Sequence, residues 1–337
     1  MYLCSGSFWV QIALSLPLVN SSINPQSAIV SLSLNPAIDL SYEINDLKHD
    51  QKTRATKTYY DPGGTGINVG RALEKLKANS HTCCIIAGKM GEFLDTMLRQ
   101  ELNNIVILQV EGETRINTTL LQKSPLQQYE INAAGPTITP RQLDEIISQF
   151  LKLCGQGIGV LTGSLPPGIP DTTYRTINEE LQNQGGLAII DAPVAVLKKT
   201  LASNPFLIKP NLHELETLQN KSFISIEGIA SAARQIVQQG THYVCVSLGE
   251  KGAVLTSSEN SYYCNSPVIK VNSTVGAGDS MVAGLAYAFS QNTTAEKALK
   301  LAVACGAGTA KQAGTQLFNS KDVALFLEQI NCKTLDI

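Results

Sequence analysis

A chain of 337 residues, 43% apolar and 16% charged, can fill one large α/β core or two ordinary ones and is too apolar for wholesale disorder. A formal charge of −2 supplies no overall basic field for nucleic acid or an anionic membrane surface. The eight cysteines include no CxxC pair and the four histidines are dispersed, so buried thiols of a reducing compartment are expected in preference to a disulfide framework or a zinc site.

Residues 8–19 (FWVQIALSLPLV) are apolar, but no Lys or Arg precedes Lys48, Pro17 interrupts the run, and it is too short to span a bilayer. Residues 1–26 are read as an extension outside the core, with a cleaved leader as the lesser reading, and 27–337 as one cytoplasmic domain. AIVSLSL (28–34) predicts a strand, and the spacing of Ile67, Val69, Ala72, Leu73 and Leu76 a helix after Gly66. A strand over 82–90 and a helix over 91–103 follow, then a strand at 157–165, a helix at 172–183, strands at 187–192 and 206–211, a helix at 227–239, a strand at 241–249, and helices at 278–290 and 294–313. Strands alternating with helices predict an α/β fold with a mainly parallel sheet covered on both faces and ligands beyond the carboxyl ends of the strands. Two polar, alternating stretches, 38–61 and 112–133, interrupt this pattern. They predict antiparallel strands that leave the same edge of the main sheet and form a small β-lid, which serves as a substrate cover, a dimer surface, or both.

Two glycine-rich motifs carry the chemistry. In Asn272-Ser273-Thr274-Val275-Gly276-Ala277-Gly278-Asp279-Ser280, glycines ahead of an apolar helix leave backbone N–H groups unpaired at the positive end of the helix dipole, which suits an anion such as a migrating phosphoryl group. Asp279, in the first turn, can take a proton from an attacking hydroxyl; the plainer reading is an acidic first turn after a glycine bend. In Asp61-Pro62-Gly63-Gly64-Thr65-Gly66-Ile67-Asn68, glycines allow close backbone approach to a ligand, and Asn68 can donate and accept to sugar hydroxyls. The second motif is neither a Walker A loop nor a GxGxxG fingerprint, and a tight strand-to-helix turn would also explain it.

Together, GGTGINVGRA and TVGAGDSMVAG resemble the PfkB (ribokinase-like) carbohydrate kinases over nearly all of residues 28–330. SLNPAID, TGSLPPG, KPNLHEL, SLGEKGA and STVGAGDS are most similar to the phosphosugar branch, with its 6-phosphofructokinase 2, 1-phosphofructokinase and tagatose-6-phosphate kinase members. The resemblance implies a ribokinase-like fold, ATP and Mg²⁺, and specific roles. Asp279 would be the catalytic base, with Gly276, Ala277 and Gly278 forming the anion hole. Asp39, Gly63, Gly64, Asn68 and Ser164 would meet the sugar. Lys209, Asn211, Ser247, Gly249, Thr274, Gly276 and Gly278 would meet the nucleotide. Asn211 and Glu214, the family's NxxE element, would organise Mg²⁺ largely through water. Where many members have Asp-Thr this chain has Ser273-Thr274, which shifts the expected subfamily.

An already phosphorylated sugar calls for cations. Lys52 and Arg54 in the first lid segment and Arg115 in the second are the candidates, with Arg71 a weaker one; for any single one, a solvated surface charge is the plainer reading. Asp191, at a strand end, reads either as a contact in the site or as a cap on the next loop. His213 reads as a surface helix residue, and Cys305-Gly306 as close packing on the nucleotide side. The expected activity is a 6-phosphofructokinase, with 1-phosphofructokinase and tagatose-6-phosphate kinase as alternatives. The expected assembly is a homodimer through the lid. An inactive sugar-phosphate-binding regulator is the non-enzyme alternative, against which the intact Asp279, Asn211 and Glu214 speak. A doubly wound dehydrogenase is disfavoured because no GxGxxG follows the first strand.

Overall fold

The computed structural model describes residues 28–337; the reading of residues 1–26 and Cys4 lie outside them. The chain opens with β1 (Ile29–Ser33), followed by the hairpin β2 (Ala37–Ile44) and β3 (Lys57–Gly63), helix α1 (Thr65–Lys75), β4 (Ser80–Ala87), α2 (Gly88–Glu101) and β5 (Ile105–Val110). A second hairpin, β6 (Arg115–Lys123) and β7 (Leu126–Ile131), leads to α3 (Pro140–Cys154). Then come β8 (Ile158–Thr162), α4 (Thr173–Asn183), β9 (Leu187–Asp191), α5 (Val194–Thr200), β10 (Leu207–Ile208), α6 (Leu212–Gln219), α7 (Ile226–Gln238), β11 (Tyr243–Ser247), β12 (Ala253–Thr256) and β13 (Ser261–Cys264). The chain closes with α8 (Ala277–Ser290), α9 (Ala295–Ala310), α10 (Ser320–Gln329) and β14 (Cys332–Thr334).

Ten strands form one sheet in the order β14-β13-β12-β11-β10-β9-β8-β1-β4-β5. From β5 to β11 it is parallel, and β12, β13 and β14 add antiparallel at the far edge. The strand period of two sends alternate side chains to opposite faces. Ile29, Ile158, Val160 and Ile189 pack under α1, α8, α9 and α10, while Val30, Leu32, Leu161 and Ile190 pack under α3, α4 and α7. Helices therefore cover both faces.

The two interrupting segments form a separate sheet, β3-β2-β6-β7. Each is an antiparallel hairpin, but they join through a parallel β2–β6 pair. They do not leave a common edge. The first springs from β1, which lies between β8 and β4, and the second from the edge strand β5. The strand expected at 206–211 shortens to Leu207–Ile208, because Pro210 cannot donate to the ladder and the chain turns into α6. The cysteine expectation also needs correction. Cys83, Cys84, Cys154, Cys245 and Cys305 are buried free thiols, but Cys264 and Cys332 form a disulfide across β13 and β14. Sixty-eight residues of sequence separate them, and only the strand pairing brings them together.

Candidate active site

The crevice lies where the strand order reverses, at the neighbouring carboxyl ends of β1 and β8. Asn35, just after β1, donates from Nδ2 to the Ala134 carbonyl at 3.1 Å and to Ser164 Oγ, in the loop after β8, at 3.3 Å. Arg115, first residue of β6, donates to the carbonyls of Asn35 at 2.8 Å and Ala133 at 3.1 Å. One wall therefore gathers Asn35, Arg115 and Ser164 from three distant parts of the chain. Buried Oδ1 atoms of Asn35 and Asn117 and Nε of Arg115 lack a protein partner among the described residues. A ligand rich in hydroxyl and anionic groups suits such a wall.

Asp39 of β2 stands opposite Asp61 of β3 and Asn117 of β6. Asn117 Nδ2 donates to Asp39 Oδ1 at 3.1 Å. Burial raises the Asp39 carboxyl above its ordinary range, against the Asn117 hydrogen bond and the Arg115 charge, which hold it down. A Cβ at Gly63 would collide with the Asp39 carboxylate, so glycine is what lets β3 pass this acid. Gly64, at φ +97°, then turns the strand into α1, which it starts without a side-chain cap.

Helices α3, α6, α7, α9 and α10 begin on residues whose side chains cap them. Helix α8 instead begins on Gly276, at φ +75°, with no side-chain cap; the Ala277 N–H turns back to the Thr274 carbonyl at 3.3 Å, while those of Gly276 and Gly278 are left to face an anion. Asp279 sits in that first turn, 7% exposed. Its carboxylate turns across to α1, where Asn68 Nδ2 donates to Oδ2 at 2.9 Å. Burial pushes the Asp279 carboxyl up to about 7; the neighbouring charges of Asp191 and Asp39 add to this, while Asn68 and Lys209 pull against it. A carboxyl poised there can accept a hydroxyl proton near neutral pH. Lys209, buried after β10, forms a 3.2 Å ion pair with Asp191 at the end of β9. Burial works against its charge, but Asp191 and the other acidic neighbours outweigh burial and hold its pKa above the ordinary value. Its Nζ lies 3.5 Å from where a Cβ on Gly278 would be, which brings a cation to the helix start.

Beyond this helix start opens a cavity of about 520 Å³. Ser247, Gly249, Thr274, Ala277 and Gly278 line it, as does Gly306 from α9. Asn211 and Glu214 form a reciprocal capping box at the start of α6: Asn211 Oδ1 accepts from Glu214 N at 2.9 Å, and Glu214 Oε2 accepts from Asn211 N at 2.8 Å. Burial raises the Glu214 carboxyl. The other carboxylate oxygen of Glu214 suits a hydrated Mg²⁺, which takes one or two carboxylates and keeps several waters. No cluster of three or more His, Cys, Asp or Glu able to hold a metal occurs among the described residues.

The family model described as pfkB family carbohydrate kinase matches residues 26–322. The chain belongs to the pfkB family. It is 35% identical to the 1-phosphofructokinase of Bacillus subtilis over 86% of this chain and 95% of that one. It is 33% identical to a tagatose-6-phosphate kinase of Staphylococcus epidermidis, over 90% and 98%. With the ATP-dependent 6-phosphofructokinase isozyme 2 of Escherichia coli it shares 31% identity over 87% and 96%. Among solved structures, Escherichia coli phosphofructokinase-2 in complex with substrates and products superposes with a TM-score of 0.86 at 30% identity, covering 90% of this chain and 99% of that one. This pfkB chain has the ribokinase-like α/β fold and is a sugar-phosphate kinase that phosphorylates a hydroxyl group.

Of the residues singled out in this pfkB sequence, Asp39, Gly63, Gly64, Asn68, Arg115, Ser164, Lys209 and Asp279 converge on one crevice. Lys52 and Arg54 do not: both are exposed on the loop between β2 and β3. That loop lies past the Glu43–Lys57 pair, four residues up the strand from Asp39 and so about 13 Å farther out. Arg71 is buried and committed to Glu101, so it is not a free cation for a substrate phosphate. His213 is exposed on α6 as expected. Sequence reasoning did not single out Asn35 and Asn117. The signal for Asn117 was its place two residues from Arg115 on an alternating strand, which puts both on one face; Asn35 had no signal beyond its position before Pro36.

Proposed function

We propose that this enzyme uses MgATP to convert fructose 6-phosphate to fructose 1,6-bisphosphate, with fructose 1-phosphate and tagatose 6-phosphate as the alternative substrates. One observation carries the catalytic reading: a buried carboxyl near neutral pKa, Asp279, stands at the uncapped start of α8, joined to Asn68 and within reach of the Asp39 charge. As the sugar hydroxyl oxygen bonds to the terminal phosphorus, its proton passes to Asp279 and the bond from phosphorus to the departing ADP oxygen breaks. The open N–H groups of Gly276 and Gly278 and the nearby Lys209 face the charge of the migrating group, and the Ala277 N–H joins them by letting go of the Thr274 carbonyl. Asn211 and Glu214 would hold Mg²⁺, which supplies neutralisation of the nucleotide phosphates. Arg115, beside Asn35 and Ser164, supports a subsite for the substrate's existing phosphate.

The four-stranded sheet exposes Tyr59, Tyr60, Leu126, Tyr129 and Ile131, which supports a homodimer built through it. Among the described residues no helix is long and apolar enough to cross a membrane, and a cytoplasmic location is part of the same reading. Turnover measured side by side with fructose 6-phosphate, fructose 1-phosphate and tagatose 6-phosphate, with MgATP in each case, tests the assignment. Greatest kcat/KM with fructose 6-phosphate is expected. Preference for either other sugar would reassign the substrate, and no ADP formation with any of them would overturn the enzymatic reading.

A further inference from the structure

We propose, building on the assignment of Asp279 as the base, that Arg71 anchored by Glu101 is a positioning residue that fixes which end of the Asn68 carboxamide faces Asp279. Arg71 is 5% exposed, and a guanidinium so placed must be fully partnered. Its Nε donates to Glu101 Oε2 at 2.7 Å and its Nη2 to Oε1 at 3.2 Å, a two-pronged pair. Its Nη1 donates to the Pro62 carbonyl at 3.2 Å, to Asn68 Oδ1 at 3.2 Å and to the Thr315 carbonyl at 3.5 Å. Asn68 Nδ2 in turn donates to Asp279 Oδ2 at 2.9 Å.

A guanidinium carries donors only. Whichever end of the Asn68 amide meets Arg71 must therefore be the oxygen, and the NH2 is left for the carboxylate. With the amide reversed, its oxygen would face a carboxylate oxygen, an arrangement tolerated only when Asp279 carries a proton. The chain Glu101–Arg71–Asn68 thus favours the ionised Asp279, the form able to accept the substrate proton, against the burial that raises its pKa. The other charged groups bearing on Asp279 are Asp191 and Lys209, beside β9 and β10, and Asp39 on β2. The charge of Arg71 also bears on Asp39, and its contact nearest the base is the Asn68 amide that it orients. Glu101, the last residue of α2 with a side chain 36% exposed, is the outer anchor.

The test is the pH dependence of kcat/KM with the preferred sugar phosphate and MgATP. Wild type, Arg71→Met, Arg71→Lys, Glu101→Gln, Asn68→Ala and the Arg71→Met/Asn68→Ala double variant are compared, each checked for folding by its thermal melt. The wild-type acidic limb is expected near pH 7. Arg71→Met should move it up by about one pH unit, so that a roughly tenfold loss at pH 6.5 is largely regained by pH 9. Arg71→Lys should shift it less, because a lysine is also donor-only at this contact. Glu101→Gln should shift it the same way by less, and Asn68→Ala should shift it so that adding Arg71→Met moves it no further. A loss equal at every pH, or a shift in the double variant that adds to that of Asn68→Ala, overturns the relay while leaving the kinase reading intact. If Arg71→Met does not fold, Glu101→Gln decides: an unmoved limb overturns the proposal. An Asp279→Asn enzyme with wild-type turnover would instead overturn the assignment of the base.

Discussion

Replacing Asp279 by Asn should make the protein more stable and nearly inactive, and the stability gain should depend on pH. The folded carboxyl has its pKa pushed up to about 7 from an ordinary 3.8, chiefly by burial. The folded state therefore holds the proton more tightly than the unfolded chain, and stability is lost as pH rises from about 4 through about 7. Three units at about 1.4 kcal/mol each set an upper value of about 4 kcal/mol for the cost of ionising this group in place. Asn has nearly the same shape, keeps an oxygen to accept from Asn68, and never ionises, so it escapes the cost. Urea denaturation at two pH values checks this: Asp279→Asn should exceed wild type by about 1.5 kcal/mol at pH 5 and by about 4 kcal/mol at pH 8. The same preparation should lose about 10²–10⁴ in kcat, the usual cost of losing a general base. A stability gap equal at the two pH values would refute the burial of an ionised acid at this point, and undiminished turnover would refute its role.

Three further outcomes follow from the geometry. Gly63→Ala drives a Cβ into the Asp39 carboxylate, so sugar KM should rise by about tenfold or more while ATP KM stays within about twofold; a displaced carboxylate forfeits about one hydrogen bond to a charged group, and steady-state titration of each substrate separates the two. Arg115→Ala removes a cation set against Asn35 and Asp39, and should raise KM for the sugar phosphate by about 10- to 100-fold, with little change in binding of the nucleotide as measured by calorimetry. Cys332→Ser opens the Cys264–Cys332 link, which spans 68 residues. Chain-entropy reasoning for a loop of that length puts the loss at about 4 kcal/mol, measurable by denaturation under non-reducing conditions, and reduction of wild type should reproduce it.

Much of this fold was legible because alternation and 3.6-residue spacing are properties of adjacent residues. β1, α1, β8, β9, β11 and α8 fall within a few residues of their predicted bounds. The two hairpins were visible as polar, Thr-rich alternation, but their parallel β2–β6 junction was not, since nothing local encodes which strands of two hairpins meet. The Cys264–Cys332 pair escaped for the same reason. It depends on a short last strand, Cys332–Thr334, docking on β13, which no spacing rule reveals. In the site, the glycine turns and Asp279 announced themselves through motif chemistry. Arg71 did not: its charge suggested a role in solvent or substrate binding, whereas the structure seals it against Glu101. Burial, the property that changes the meaning of a charge, belongs to the completed fold.

The hydrogen bond between Asn68 and Asp279 joins residues 211 positions apart, so the proposed reacting centre draws one half from the first hairpin and α1 and the other from α8. A ribosome that has released the first 270 residues has made β1 to β13 of the main sheet, yet not the proposed base. On that assignment, a nascent chain that stops short of α8 cannot spend nucleotide on a sugar.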